Sequence, residues 1–251
     1  MSSQHDLPLA GKAAIVTGAS RGIGRAIALR IAEHGAAVAV NYKSNADAAN
    51  EVVETIQRMG NNAIAVAADM ADLGQLRSLF EQAEAEFGGI DIVVNNAGTA
   101  AFQPIAEVTE NMFDSMFATN TRGVFFSMQE AAKRLRADGR IINISSGITI
   151  LGGAGASVYG GTKGAIEQFT MAVAKELGPR GITVNTVSAG GTSTDLLDEV
   201  VPKEFQAGMA ANSAFGRLGQ PDDIADVVAF LCSHAGRWIT GQNIRATGGA
   251  A

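Results

Sequence analysis

The sequence predicts an α/β fold, an open and doubly wound parallel sheet of about seven strands with helices on both faces. Two observations carry the prediction. Short apolar runs rich in β-branched residues or alanine alternate with longer segments that repeat apolar residues at i, i+3, i+4 and i+7. Strand–helix alternation of this kind builds parallel sheets covered on both sides. A third observation places a ligand on that sheet: the first apolar run leads into Gly18, Gly22 and Gly24, and then into a helical pattern.

The strand candidates, in order, are residues 13–17, 37–41, 63–67, 90–95, 140–145, 182–188 and 243–247. Between them, Leu73, Leu76, Leu79, Phe80, Ala83 and Phe87 keep helical spacing, as do Ile224, Val227, Val228 and Leu231. Residues 189–215 break the rhythm, with Ala189-Gly190-Gly191-Thr192-Ser193-Thr194 followed by mixed helical patches. A long insertion at the C-terminal edge of such a sheet reads as a lid or substrate loop. No Pro/Gly/Ser-rich linker, internal repeat or charge block divides the chain. Residues 9–251 read as one domain and residues 1–8 as a loose polar tail.

Composition narrows the function classes. The 251 residues carry a formal charge of -6 and no lysine/arginine cluster interleaved with aromatics, which argues against nucleic acid. The densest basic stretch, Lys133-Arg134-Leu135-Arg136, reads as a solvated helix end. Cys232 is the single cysteine and lies in a helical run, as a small buried apolar residue would. His5, His34 and His234 are too dispersed for metal-ligand spacing, so no metal is expected. No apolar run approaches the length of a membrane span and no export signal is visible, so the expected location is cytoplasmic.

The segment Gly18, Ser20, Arg21, Gly22, Ile23 and Gly24 suits a pyrophosphate. Its glycines let backbone approach the ligand, and the helix that follows offers free N–H groups. The end of the second strand separates NAD from NADP. An acid there would bind ribose hydroxyls and repel a 2′-phosphate. This chain has Asn41-Tyr42-Lys43-Ser44, with no acid before Asp47. With Arg21 this favours NADP(H), although Arg21 and Lys43 also fit as solvated surface charges. Asp69, followed by Met70, ends the third strand, where an adenine edge is read or a helix is capped. Asn95-Asn96-Ala97-Gly98 ends the fourth, small enough for a cofactor to lie against backbone.

Tyr159 and Lys163 are four residues apart in a helical stretch, which puts both on one face. A lysine ammonium beside the phenol is expected to lower the tyrosine pKa toward working pH. A phenol so tuned exchanges a proton with a carbonyl or an alcohol. Ser146 lies thirteen residues upstream, at the end of the run Ile141-Ile142-Asn143-Ile144-Ser145. With the glycine loop, the set points to a nicotinamide-dependent oxidoreductase.

Together these residues resemble the short-chain dehydrogenase/reductase family in its single-domain branch, a Rossmann-type fold, from about residue 9 to residue 249. The motifs are 17–24, Asn95 to Gly98, Asn120-Thr121-Arg122-Gly123, Ser146, Tyr159-x-x-x-Lys163 and 185–194. The look is nearest to 3-oxoacyl-[acyl-carrier-protein] reductases and hydroxynaphthalene reductases, both NADPH users. The resemblance implies that Tyr159 is the general acid and that Lys163 lowers its pKa and holds the nicotinamide ribose. It implies that Ser146 hydrogen-bonds the substrate carbonyl and that Asn120 holds a water linking Lys163 to solvent. Ser145 is the neighbour that competes for the serine role. Adjacent strand side chains point opposite ways, and the family spacing selects Ser146. Gly190, Thr192 and Thr194 fall where the family meets the nicotinamide amide. Alanine at position 189 replaces a family proline and is expected to leave that loop more mobile.

Two substrate classes compete: a free ketone, which is favoured, and a 3-oxoacyl thioester on an acyl-carrier protein. Arg180 matches a carrier-docking position, and Ala137 stands where another arginine would be. A non-catalytic NADP-binding regulator would show a damaged catalytic set, and all four residues are present. A sugar-nucleotide epimerase would need a larger C-terminal region. Family members of this length are mostly homotetramers, joined here through helices expected at about 112–135 and 157–177. Ala165, Phe169, Ala172, Val173 and Glu176 form a candidate contact face.

Overall fold

The computed structural model describes residues 7–251. Seven strands form one sheet: β1 (Ala13–Val16), β2 (Ala37–Tyr42), β3 (Ala63–Ala67), β4 (Ile90–Asn95), β5 (Leu135–Ser146), β6 (Thr183–Ala189) and β7 (Asn243–Ala246). Their order is β3-β2-β1-β4-β5-β6-β7, all parallel. The order reverses between β1 and β4, which opens a crevice at the carboxyl ends of those two strands.

The helices are α1 (Gly22–Glu33), α2 (Ala46–Arg58), α3 (Leu73–Phe87), α4 (Glu110–Phe117), α5 (Val124–Arg134), the short α6 (Ile148–Leu151), α7 (Ser157–Leu177), α8 (Asp195–Val200), α9 (Lys203–Asn212) and α10 (Pro221–Cys232). Apolar residues of α1, α2 and α10 cover one sheet face, where Ala14, Val16, Ile142 and Ile144 point. Those of α3, α5 and α7 cover the other, where Ile15, Val93 and Ile141 point. Successive strand residues feed opposite cores, so both need to be apolar. Cys232 lies in the first core, and burial pushes its thiol up to about 12, which leaves it inert at neutral pH.

Two expectations need correction. The helix expected at 112–135 is two helices, α4 and α5, separated by a π-helical turn at Ala118–Gly123. That widened turn carries Asn120 fully buried, and at its end a Cβ on Gly123 would come within 2.5 Å of the Met70 carbonyl oxygen. β5 starts five residues early, at Leu135, because the β4–β5 ladder shifts register between Ile90 and Ile92. The turn after Ala189 is held by backbone bonds without a proline: Gly190 N–H donates to the Ala246 carbonyl at 3.0 Å. Ala189 is the last ladder residue of β6, in register with Ser146 and Ala246, and Gly147 N–H donates to its carbonyl at 2.9 Å. Of the proposed tail and His5, residues 1–6 lie outside the described residues. Leu9 is already buried, and its N–H donates to the His34 carbonyl.

Candidate active site

The crevice opens into a cleft of about 700 Å³, and every residue assigned to the cofactor from sequence lines it. Its floor is the glycine loop. Gly18 has φ +61, and a Cβ there would come within 2.9 Å of the Ala97 Cα, so only glycine lets β1 and β4 end this close together. Thr17 stitches the two strand ends: its Oγ1 accepts from the N–H groups of Asn96 and Ala97, both at 2.9 Å. Asn41, buried at the end of β2, accepts from Gly18 N–H at 3.1 Å and donates to the Val66 and Ala68 carbonyls. Its amide is committed to shaping the loop.

The N-terminus of α1 fits a phosphate group. Arg21 at its N-cap makes no side-chain capping bond, so the first N–H groups of the helix face the cleft without a partner from the chain's own caps. By contrast, Asn45, Asp72, Thr109 and Thr194 cap α2, α3, α4 and α8. The Thr194 hydroxyl is thus engaged within the chain, accepting from Leu197 N–H at 3.2 Å. Thr192 Oγ1 donates to the Gly190 carbonyl at 3.0 Å.

No carboxylate stands at the end of β2. Lys43 pairs with Asp69 at 2.7 Å, and Arg21 reaches over the cleft to Glu199 of α8 at 2.6 Å. The cap of α3 is Asp72, not Asp69. Burial would raise the Asp69 carboxyl, but the Lys43 ammonium and the Ala71 N–H outweigh it and hold the group below its ordinary range.

Ser146, Tyr159 and Lys163 meet at the wall formed by β5 and α7. Ser145 and Ser146 do point apart: Ser145 donates to Glu167 of α7 at 2.8 Å, whereas Ser146 lines the cleft with Tyr159. The expected lowering of the Tyr159 pKa is not found. Burial raises it above its ordinary value, and the neighbouring Ser146 hydroxyl only partly opposes this. The Lys163 Nζ donates to the Ile144 carbonyl at 2.9 Å and lies 5.8 Å from the Tyr159 ring centroid. Burial pushes the Lys163 ammonium down to about 8. A phenol raised in this way keeps its proton at neutral pH, the state that a proton donor needs.

Asn120 does not line the cleft. It lies beneath it, donating to the Thr99 carbonyl at 2.8 Å and to Thr162 Oγ1 at 3.2 Å. Beneath Gly98 its Oδ1 and the Lys163 Nζ converge: a Cβ on that glycine would sit 3.3 Å from the first and 3.5 Å from the second. Among the described residues no group of three His, Cys, Asp or Glu is arranged to hold a metal.

Comparison with known proteins agrees with this geometry. A family model described as enoyl-(acyl carrier protein) reductase matches residues 18–251. A short chain dehydrogenase/reductase of Aspergillus aculeatus is 45% identical over 255 residues, covering 97% of both chains. A hydroxynaphthalene reductase-like protein of Metarhizium brunneum is 43% identical over 265 residues, covering 100% of this chain and 99% of its own. Among solved structures, an angucycline C-6 ketoreductase with bound NADP superposes with a TM-score of 0.92 at 44% identity, covering 97% of this chain and 96% of its own. A short-chain dehydrogenase from Burkholderia cenocepacia in complex with NADP gives a TM-score of 0.92 at 40% identity, covering 97% and 99%. The chain belongs to the short-chain dehydrogenase/reductase family.

For a family member, several contributors to this site carry no sequence signal of their own. Thr17 stands beside the glycine loop, but its two accepted N–H bonds depend on where β4 ends. Thr162, between Tyr159 and Lys163, donates to the Tyr159 carbonyl at 2.7 Å and accepts from Asn120. Phe102, in an irregular segment, packs edge-on against Tyr159 with ring centroids 5.9 Å apart. Glu167 continues the Tyr159–Lys163 face by one more turn, and that spacing was the readable clue.

Proposed function

We propose that the protein is an NADPH-dependent carbonyl reductase acting on a free ketone, working as one domain from residue 9 onward. The observation that supports this best is the Tyr159–Ser146 pair. Two neighbouring hydroxyls, backed by a buried lysine, line one cleft beside an uncapped helix N-terminus. Tyr159 gives its proton to the carbonyl oxygen, and the Ser146 hydroxyl donates to that oxygen as negative charge builds on it. NADPH, when bound, supplies the hydride. Lys163, Thr192 and Thr194 orient the nicotinamide end, Gly22 to Gly24 the pyrophosphate, and Lys43, Ser44 and Arg21 the 2′-phosphate. Asn120 holds the proton path below Lys163. Two donors aimed at one oxygen suit a C=O bond better than the C=C bond of an enoyl thioester.

NADP bound to the ketoreductase relative supports the cofactor, as does the missing acid at β2. NADPH is a cytoplasmic reductant, which supports placing the enzyme there; no described helix is long and apolar enough to cross a membrane. The carrier-protein alternative is weakened by Arg180. Its guanidinium donates to the Ala132 and Leu135 carbonyls at the end of α5, so it is not free to dock an acidic partner. The substrate side of the cleft is walled by apolar Phe102, Ile148, Leu151, Leu196, Val200 and Met209.

A spectrophotometric screen of NADPH oxidation over ketones, quinones and a 3-oxoacyl thioester tests the reading. Turnover is expected on a free ketone, with kcat/KM for NADPH more than about tenfold that for NADH, because each charge-assisted bond to phosphate is worth about 1.5–3 kcal/mol. Equal use of both cofactors would remove the NADP assignment. Assembly as a homotetramer is supported by apolar surface on α5 and α7, where Phe125 and Met171 are exposed and Phe125 meets Phe169 edge-on at 5.2 Å. Phe169→Glu is expected to lower the mass seen by light scattering; a wild-type mass near one 25.8 kDa chain rules the assembly out.

A further inference from the structure

We infer that Glu167 is a positioning residue: through its hydrogen bond to Ser145 it fixes the distance between the Ser146 and Tyr159 hydroxyls. The inference rests on the reading of those two hydroxyls as the carbonyl-oxygen donors. They come from different elements, Tyr159 from the first turn of α7 and Ser146 from the last residue of β5. Their separation is therefore set by how α7 is held to the end of β5, and an error of about 1 Å in such a placement costs on the order of a hundredfold in rate.

Three side-chain ties hold α7 to β5. Lys163 Nζ donates to the Ile144 carbonyl at 2.9 Å, Glu167 accepts from Ser145 Oγ at 2.8 Å, and Thr170 Oγ1 accepts from Asn143 Nδ2 at 2.9 Å. The first uses a side chain whose ammonium is required for the reaction. The third lies three residues back along β5 from Ser146. The Glu167–Ser145 tie acts on the residue directly bonded to Ser146 and uses no reacting group. It is also braced from behind. Ser188 stands in register with Ser145 on β6, places its Oγ 3.4 Å from the same Glu167 oxygen, and donates to Asn243 Oδ1 of β7 at 2.7 Å. One carboxylate thus gathers the ends of β5 and β6 under the helix that carries the proton donor. Ser145 and Ser188 are buried, and a hydrogen bond in a low-dielectric setting is stronger than one in water.

The test is a double-mutant cycle on Ser145→Ala and Glu167→Ala, with Glu167→Gln as the conservative variant. Wild-type ketone turnover is measured first, and its absence would refute the underlying reading, not this inference. kcat is then expressed per NADPH-binding site titrated by fluorescence, so unfolded protein does not count. Each alanine variant is expected to lower kcat by about tenfold while the Kd for NADPH stays within about twofold, and the double variant is expected to be no slower than the slower single one. Glu167→Gln, which keeps an oxygen acceptor for Ser145, is expected to recover most of the rate. The inference is overturned if both single variants keep kcat within about twofold of wild type, if their losses multiply in the double variant, or if glutamine is as slow as alanine.

Discussion

The wall built by β5 and α7 and the strap built by residues 190–215 face each other across the same cleft, and they are made differently. On the wall, polar side chains are buried and paired across elements: Asn143 with Thr170, Ser145 with Glu167, Lys163 with the Ile144 carbonyl. On the strap, α8 has no buried residue and α9 buries only Gln206. Beyond a short bridge from Thr192 to Gly219, α8 is held to the glycine loop by exposed ion pairs from Arg21 to Glu199 and, at 3.9 Å, to Asp195. Proton transfer needs fixed distances, and the wall supplies them with buried bonds. Substrate entry needs movement, and a strap with little buried apolar area opens at small cost.

The largest effect expected from breaking the wall is chemical. Tyr159→Phe removes the proton donor and keeps the ring that packs on Phe102. General acid groups contribute at least about a hundredfold, so kcat should fall by that much or more while NADPH affinity, followed by fluorescence, stays within about threefold. A variant that keeps more than about a tenth of the wild-type rate would take the proton-donor role away from Tyr159.

A smaller effect separates stability from function on the same wall. Burial holds the Lys163 pKa at about 8, below its ordinary 10.5. Between those two values the unfolded chain binds more protons than the folded one, so this group makes the fold more stable as pH rises through that window. Below about pH 8 the full cost of the buried ammonium remains. Lys163→Met removes that cost and gives up the bond to the Ile144 carbonyl, worth about 1 kcal/mol. The variant should therefore be inactive yet melt several degrees higher at pH 7, at about 2–4 °C per kcal/mol for a chain of this size. Its advantage should shrink as pH approaches 10.5. A variant that melts lower at pH 7, or whose margin ignores pH, would mean that the ammonium is better solvated in the fold than its burial indicates.

The two regions also differ in how far the sequence discloses them. The wall was legible, because strand runs and helical spacing fix which residues share a face. Tyr159 and Lys163 fall on one turn of α7, the helix was expected at 157–177, and it spans Ser157–Leu177. What the wall hid was electrostatic. Spacing places an ammonium near a phenol, but the direction of the Tyr159 pKa follows from burial, which tertiary packing sets. The π-helical turn at Asn120 was hidden for a similar reason, since nothing in Ala118-Thr119-Asn120-Thr121-Arg122-Gly123 marks a widened turn. In the strap, helix content was visible only as patches, and the use of Arg21 as its anchor was not visible. Arg21 and Glu199 are 178 residues apart, and nothing local links them.

That anchor gives the smallest expected effect. Both partners are about half exposed, so the pair is screened and worth at most about 1 kcal/mol, although the Glu199 hydrogen bond does raise the Arg21 pKa. Glu199→Gln keeps the size of the side chain and removes its charge. Backbone amides of 195–200 should then exchange hydrogen about two- to fivefold faster, the range corresponding to about 0.4–1 kcal/mol, while amides of β5 and α7 stay as they were. Raising salt from about 0.05 M to about 0.5 M should speed the same amides in the wild type, because the Debye length falls to about 4 Å and screens an exposed pair more strongly, and should have less effect on the variant, which keeps only the longer pair to Asp195. If neither salt nor the substitution moves exchange in 195–200, the strap is held by something other than Arg21, and the contrast with the wall then rests on buried area alone.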